Sequence, residues 1–264
     1  MPNQYNFHLP HLPERNIKPR MNGVTMVMDK GISLRQAEDF VSTSADYVDF
    51  VKLGFGTSIV SKNVKEKIKL YQGAGIKVYV GGTLLEAFVV RDQFDDYLKY
   101  IASLGLDAAE VSDGSIVLDH DKKCEYISRL AKEYTVLSEV GSKEEGVIIH
   151  PARWIKMMQT ELEAGASKVI AEARESGTVG IFHKNGTAHA MLINRIVNKV
   201  KIENIIWETP QKSQQVYFLK LFGANVNVGN IGVDDVIPLE TLRLGLRGDT
   251  FFTFLPESMK HEIL

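Results

Sequence analysis

The amino-acid sequence predicts an α/β protein, a single (β/α)8 barrel preceded by an irregular, proline-rich lead-in. Three observations lead there. Eight short runs rich in branched apolar residues recur along the 264-residue chain, and strands buried on both faces of a parallel sheet read as such unbroken runs. Their starts lie 23, 30, 31, 27, 33, 37 and 21 residues apart, about the length of one strand, one helix and two loops. The segments between them carry helical spacing. A doubly wound open sheet is the rival, but it usually places a Gly-rich phosphate fingerprint after the first strand. Here the first run is followed by Asp29-Lys30-Gly31-Ile32-Ser33, and Gly54-Phe55-Gly56 after the second lacks a third glycine. The TIM barrel is the better fit.

The elements follow in order. Residues 1–22 form the lead-in, because Pro2, Pro10, Pro13 and Pro19 forbid a long helix there. It is expected to lie across one end of the barrel domain, residues 23–264. The expected strands are Val24–Met28, Tyr47–Lys52, Lys77–Val80, Ala108–Val111, Thr135–Ser138, Lys168–Ala171, Ile205–Trp207 and Val226–Val228. Between them, Val64, Lys67, Ile68 and Tyr71 stripe one helix over Asn63–Gln72, and Phe94, Leu98, Ile101 and Leu104 stripe another. Trp154, Ile155, Met158, Glu161 and Leu162 stripe a third, behind Pro151 at a helix start. Gly73-Ala74-Gly75, Gly105, Gly165 and Gly223 stand where helices should stop.

Composition excludes several classes of function. Hydrophobic residues are 44% and charged residues 24% of the chain, ordinary for a globular protein. Thirty-one Lys and Arg against thirty-three Asp and Glu leave a net charge of −2, so no basic field points to nucleic acid. Cys124 is the single cysteine, which rules out an intramolecular disulfide and a thiolate metal cluster. No apolar run approaches a membrane span and the first twenty residues lack an apolar signal core, so a cytoplasmic protein is expected. The His-Glu-x-x-His, Gly-x-Ser-x-Gly and P-loop patterns are absent. His183 and His189, six apart, do not share a helical face for zinc. His150 reads as a loop residue and Cys124 as core.

In such a barrel all the loops that follow strands converge on one face, so polar residues at the strand ends are the first site candidates. In order these are Asp29-Lys30, Lys52, Gly81-Gly82-Thr83, Glu110 with Ser112-Asp113, Glu139 with Lys143, Glu172 with Arg174, Glu208, and Asn227 with Asn230. Each has an ordinary structural role open to it. Asp29 can cap the first helix or hold Lys30, Glu172 can pair with Arg174, Glu208 can cap the next helix, and Lys143 can be a solvated surface lysine. Together they favour a site for anions, since buried charges are costly unless paired or metal-bound.

At these strand ends the sequence closely resembles the phosphosulfolactate synthase family. The resembling stretches are Met28–Gly31, Tyr47–Lys52 continuing through Gly54–Thr57, Val80–Glu86, Ala109–Ser115, Leu137–Lys143, Ala171–Gly177, Trp207–Gln215, Asn225–Ile231 and Leu239–Gly248. The resemblance implies a (β/α)8 barrel, magnesium dependence and addition of sulfite to phosphoenolpyruvate, with a homo-oligomeric assembly and no nucleic-acid or membrane partner. On that footing Glu139, Glu172 and Glu208 are the expected magnesium ligands, with Asp29 and Asp113 in reserve. Lys143, from the loop after the fifth strand, is the expected general acid, and Lys52 joins it in the catalytic set. Lys52, Arg174 and Lys212 are assigned to the phosphate, carboxylate and sulfite groups, with backbone donors around Gly229-Asn230 completing a phosphate site. Two alternatives stay open: a stress-related relative that has lost catalysis, and another lyase or aldolase of phosphorylated acids.

Overall fold

A computed structural model describes residues 5–141, 150–173, 176–178 and 180–260, and in it eight parallel strands curl into a nearly closed barrel ringed by helices. The strands are β1 (Thr25–Asp29), β2 (Phe50–Leu53), β3 (Lys77–Val80), β4 (Ala108–Val111), β5 (Thr135–Val140), β6 (Lys168–Ala171), β7 (Ile205–Glu208) and β8 (Val228–Gly232). The helices are α1 (Leu34–Ser44), α2 (Thr57–Val60), α3 (Val64–Gly73), α4 (Gly82–Val89), α5 (Phe94–Leu104), α6 (His120–Leu130), α7 (Pro151–Glu163), α8 (Ala190–Val197), α9 (Lys212–Phe222) and α10 (Val236–Arg243). None of the described helices is long and apolar enough to cross a membrane.

The sheet runs in the order β3-β2-β1-β8-β7-β6-β5-β4, every neighbouring pair parallel. The seam between β3 and β4 carries side-chain bonds instead of a ladder. Asp107, just ahead of β4, accepts from the Val78 amide at 2.8 Å, and Glu110 within it accepts from the Gly82 amide at 2.6 Å. β8 departs from regularity in a way that matters below. Thr25 pairs with Val228 and Val27 with Ile231, so β8 has an extra residue, and Asn230 takes a left-handed φ of 56°. Such a bulge re-aims a side chain.

Three expected strands, those at Lys77, Ala108 and Lys168, coincide with the observed ones. The second starts later because Ala45–Tyr47 winds into a short 3-10 turn. The last is displaced toward Gly232 because Asn227 uses its side chain where a ladder would be. It accepts from the Val24 amide at 3.0 Å and donates to Ile205 at 3.1 Å. Local chemistry sets the helix ends. Ser33 and Gln36 form a capping box on α1, Asp119 caps α6, and His150 accepts from the Ala152 amide ahead of Pro151. His150 is thus a cap.

Alternation along the strands separates two cores. One apolar set faces the helices; the other, Val24, Met26, Phe50, Tyr79, Ala108, Leu137, Ile170 and Ile206, fills the barrel as a plug. The lead-in is bolted to the amino-terminal end of the barrel. Arg15 forks onto Glu240 of α10 at 2.8 and 3.1 Å, and Arg20 grips Asp49 ahead of β2 at 2.9 Å.

Candidate active site

Two residues beyond the plug, the same faces of the strands present Met28, Lys52, Gly81, Glu110, Glu139, Glu172 and Glu208, and the bulge in β8 adds Asn230. The period of two that buries an apolar layer therefore delivers a polar layer directly above it. At the carboxyl end of the strands all of these residues but Glu110 border a cavity of about 400 Å³, lined by Lys52, Glu139, Glu172, Glu208 and Asn230 and walled by Met28, Phe55 and Leu84. Gly81 makes room: a Cβ there would stand 3.2 Å from Lys52 Cε.

Lys52 is the hub. Its Nζ lies 3.0 Å from Glu110, 3.5 Å from Glu139 and 3.7 Å from Glu208. Burial alone disfavours its ammonium, but Glu110, Glu139 and Glu208 outweigh burial and hold it charged well above the ordinary lysine range. Glu139, Glu172 and Glu208 are buried and bring one carboxylate oxygen each within 4.8 Å of one another. Glu208 accepts from the Ala173 amide at 2.8 Å through Oε2, while its Oε1 has no hydrogen-bond partner among the described residues. Burial pushes its pKa up to about 8 despite Lys52, with Glu139 adding to the rise. Asn230 Oδ1 is likewise buried without a hydrogen bond among the described residues, and its Nδ2 lies 3.4 Å from the Ala173 carbonyl. All-oxygen donors of this kind suit a hard divalent cation, which prefers carboxylate, carbonyl and water oxygens.

The structure brings together Lys52, Glu139, Glu172, Glu208 and Asn230 as expected from the strand ends. Lys143 and Arg174 lie outside the described residues. Lys212 is half-exposed at the start of α9, paired with Asp249 at 2.9 Å, and does not line the cavity. Gly229 serves packing: a Cβ there would meet Met26 at 2.6 Å and Ile206 at 3.0 Å, inside the plug. The two reserve carboxylates are committed elsewhere. Asp29 neither caps α1 nor holds Lys30; it accepts from Gly31 and Ile32 amides, Lys67 at 2.7 Å and Tyr71 at 3.0 Å. Asp113 pairs with Lys123 at 2.9 Å. Glu208 does not cap α9, whose capping box is Gln211 with Gln214.

Sequence reasoning missed several supporting residues. Gln211 and Gln214 also donate to the Ser176 and Gly177 carbonyls at 2.5 and 2.7 Å, fastening the loop after β6 beside the cavity. Glu86 of α4 accepts from the Ser115 amide at 2.8 Å and binds Ser112, fixing the loop after β4. Lys123 stands directly behind Glu139, donating to its carbonyl at 2.6 Å. The one signal for Lys123 is a charge at a core-facing position, three and four residues before Tyr126 and Ile127. His183 and His189, discounted for want of a shared helical face, meet instead across a small hairpin, ring centroids 3.4 Å apart.

Comparison with known proteins places these features in a lineage. A family model described as (2R)-phospho-3-sulfolactate synthase matches residues 13–249. The phosphosulfolactate synthase of Methanothermobacter thermautotrophicus is 42% identical over 244 residues, covering 90% of this chain and 95% of that protein. The enzyme of the same name from Methanocaldococcus jannaschii is 45% identical over 87% of this chain and 94% of its own length. That from Bacillus subtilis is 39% identical over 91% and 97%. Among solved structures, 3-hexulose-6-phosphate synthase from Salmonella typhimurium superposes with a TM-score of 0.54 at 17% identity, covering 83% of this chain and 99% of that one. The YdjI aldolase of Escherichia coli gives 0.54 at 8% identity, covering 81% and 76%. At these identities the two share the fold.

Proposed function

This chain belongs to the (2R)-phospho-3-sulfolactate synthase family and is an enzyme; from that premise we propose that it adds sulfite to C3 of phosphoenolpyruvate, with magnesium, giving (2R)-phospho-3-sulfolactate. The observation that carries the chemistry is the convergence of Glu139, Glu172 and Glu208 on one cavity beside a single described ammonium, that of Lys52. Among the described residues this set carries more negative than positive charge. Burial is the first cause of the raised Glu208 pKa, with Glu139 adding to it, and a bound cation would lower it again. Magnesium held by these three carboxylates would supply positive charge against the electron density that gathers on the substrate carboxylate during the addition.

In the proposed reaction the sulfur lone pair forms the bond to C3, and the C2–C3 π pair moves onto the C1 carboxylate. C2 then takes a proton, and the C–O–P linkage stays intact. Lys52 keeps its proton across the working range and contributes a fixed positive charge at the cavity wall. Lys143 is proposed as the proton donor to C2 and Arg174 as the carboxylate or phosphate clamp. Asn230 offers an amide at the cavity edge to orient an oxyanion. Lys212 would need to leave Asp249 to join them.

Phosphorus NMR of the protein mixed with phosphoenolpyruvate, bisulfite and magnesium tests this reading. The expected result is a new phosphate-ester resonance that requires all three, with no inorganic phosphate. Release of free phosphate, or an unchanged spectrum with all three present, overturns it.

A further inference from the structure

We propose that Lys123 is the positioning residue of the cation site, its ammonium standing in for a strand that has ended and fixing the backbone of Glu139 from behind. The inference rests on the reading of Glu139 as a ligand and assigns a role to a residue that touches neither cation nor substrate.

The geometry comes from the sheet. Val140 gives its carbonyl to the Glu172 amide at 3.0 Å and so faces β6. Successive carbonyls on a strand point to opposite neighbours, so that of Glu139 faces β4. Pairing of β4 with β5 ends at Val111 with Ser138, one residue short. The carbonyl of Glu139 has outrun its neighbour, and Lys123 Nζ occupies the vacant donor position at 2.6 Å.

Lys123 is fully buried and held from two further sides. Asp113, in the loop after β4, lies 2.9 Å away, and Glu161 of α7 lies 3.0 Å away. The other oxygen of Glu161 accepts from Ser138 Oγ at 2.6 Å. Adjacent residues of β5 are therefore pinned, Ser138 by its side chain and Glu139 by its carbonyl, where the strand delivers its carboxylate. Stability gives little reason for this cluster. A buried ion group is about as well replaced by packed apolar side chains, and methionine would continue the stripe of Tyr126, Ile127 and Leu130. What methionine cannot supply is a directed hydrogen bond to one carbonyl. Groups that orient ligands from behind typically account for about 10–100-fold in metal affinity or activity.

The test is Mn²⁺ binding to the intact protein by water-proton relaxation, well below the melting temperature, with thermal melts alongside. Lys123→Met should weaken Mn²⁺ binding about 10–100-fold and lower kcat more than it changes KM. Ser138→Ala, which loosens the same cluster without touching the Glu139 carbonyl, should lower the melting temperature but leave Mn²⁺ affinity within about twofold. Should Lys123→Met alone fail to fold, the triple variant Asp113→Asn, Lys123→Met, Glu161→Gln removes the stranded charges and should still show the weakened affinity. A folded Lys123→Met or triple variant with wild-type affinity overturns the inference while leaving the site reading intact. Wild-type protein that neither binds Mn²⁺ nor forms product overturns the site reading and the inference with it.

Discussion

Replacing Lys52 by methionine removes the only described cation among four carboxylates and keeps the side-chain volume nearly constant. The three described contacts, at 3.0, 3.5 and 3.7 Å, each carry a gross attraction of about 5 kcal/mol at an effective dielectric near 20 when the carboxylate is ionised. Proton uptake limits the damage, because a carboxylate that has lost its ammonium takes a proton before it forces the chain open. The net loss at pH 8 should therefore fall in the range for a broken buried pair, about 3–5 kcal/mol. The sign of the pH dependence follows. With Lys52 gone, the carboxylates that face it lose the ammonium that favours their charged form, so the folded variant holds protons to higher pH than the folded wild type. Glu208 already gives the wild type a gain in stability as pH falls from 8 to 5, and the variant should gain more, so its deficit narrows toward pH 5 while the wild-type Lys52 ammonium stays charged. Urea unfolding of both proteins at pH 5 and pH 8, without divalent cations, measures the difference. A deficit below about 1 kcal/mol at pH 8, typical of an exposed pair, or one equal at both pH values, would refute the hub assignment.

Two further outcomes are expected. Glu208→Gln mimics the protonated acid, so without divalent cations it should match the wild type near pH 4.5. Between 4.5 and about 8 only the folded wild type holds the Glu208 proton, so the wild type should lose stability relative to the variant across that window and run parallel above it. Melts in a chelator from pH 4.5 to 9.5 read this, and under the proposed cation site magnesium should stabilise the wild type but not this variant. At the opposite end of the barrel, Arg15→Met leaves the buried Glu240 carboxylate only the longer 3.9 Å contact with Arg243 and should cost about 3 kcal/mol in urea unfolding, with no effect on the proposed cation binding in titration calorimetry.

The barrel was legible because its signal is repetitive: unbroken apolar runs at regular intervals survive an error of two residues at any one end. The strand-end carboxylates were legible for the same reason, since a charge closing an apolar run has few other places to go. What misled was treating stripes as uniformly apolar. Lys67 and Glu161 both fell on core-facing helical positions in the sequence, and both turned out to be buried ions, Lys67 on Asp29 and Glu161 on Lys123. Those charges were visible, but their partners lie 38 residues away in each case, beyond any local pattern. The histidine pair is a different case, since it forms no metal group among the described residues. A helical test was applied to residues that lie on a hairpin, where a separation of six brings rings together.

The seam between β3 and β4 is fastened differently from the other junctions of the barrel. Seven junctions are woven from main chain, which no substitution can unpick one residue at a time; the eighth is a clasp of two side chains, Asp107 and Glu110. Because Glu110 also answers the charge of Lys52, the clasp and the interior electrostatics share a fastening. Opening the wall there would deprive Lys52 of Glu110, the nearest of its described counterions.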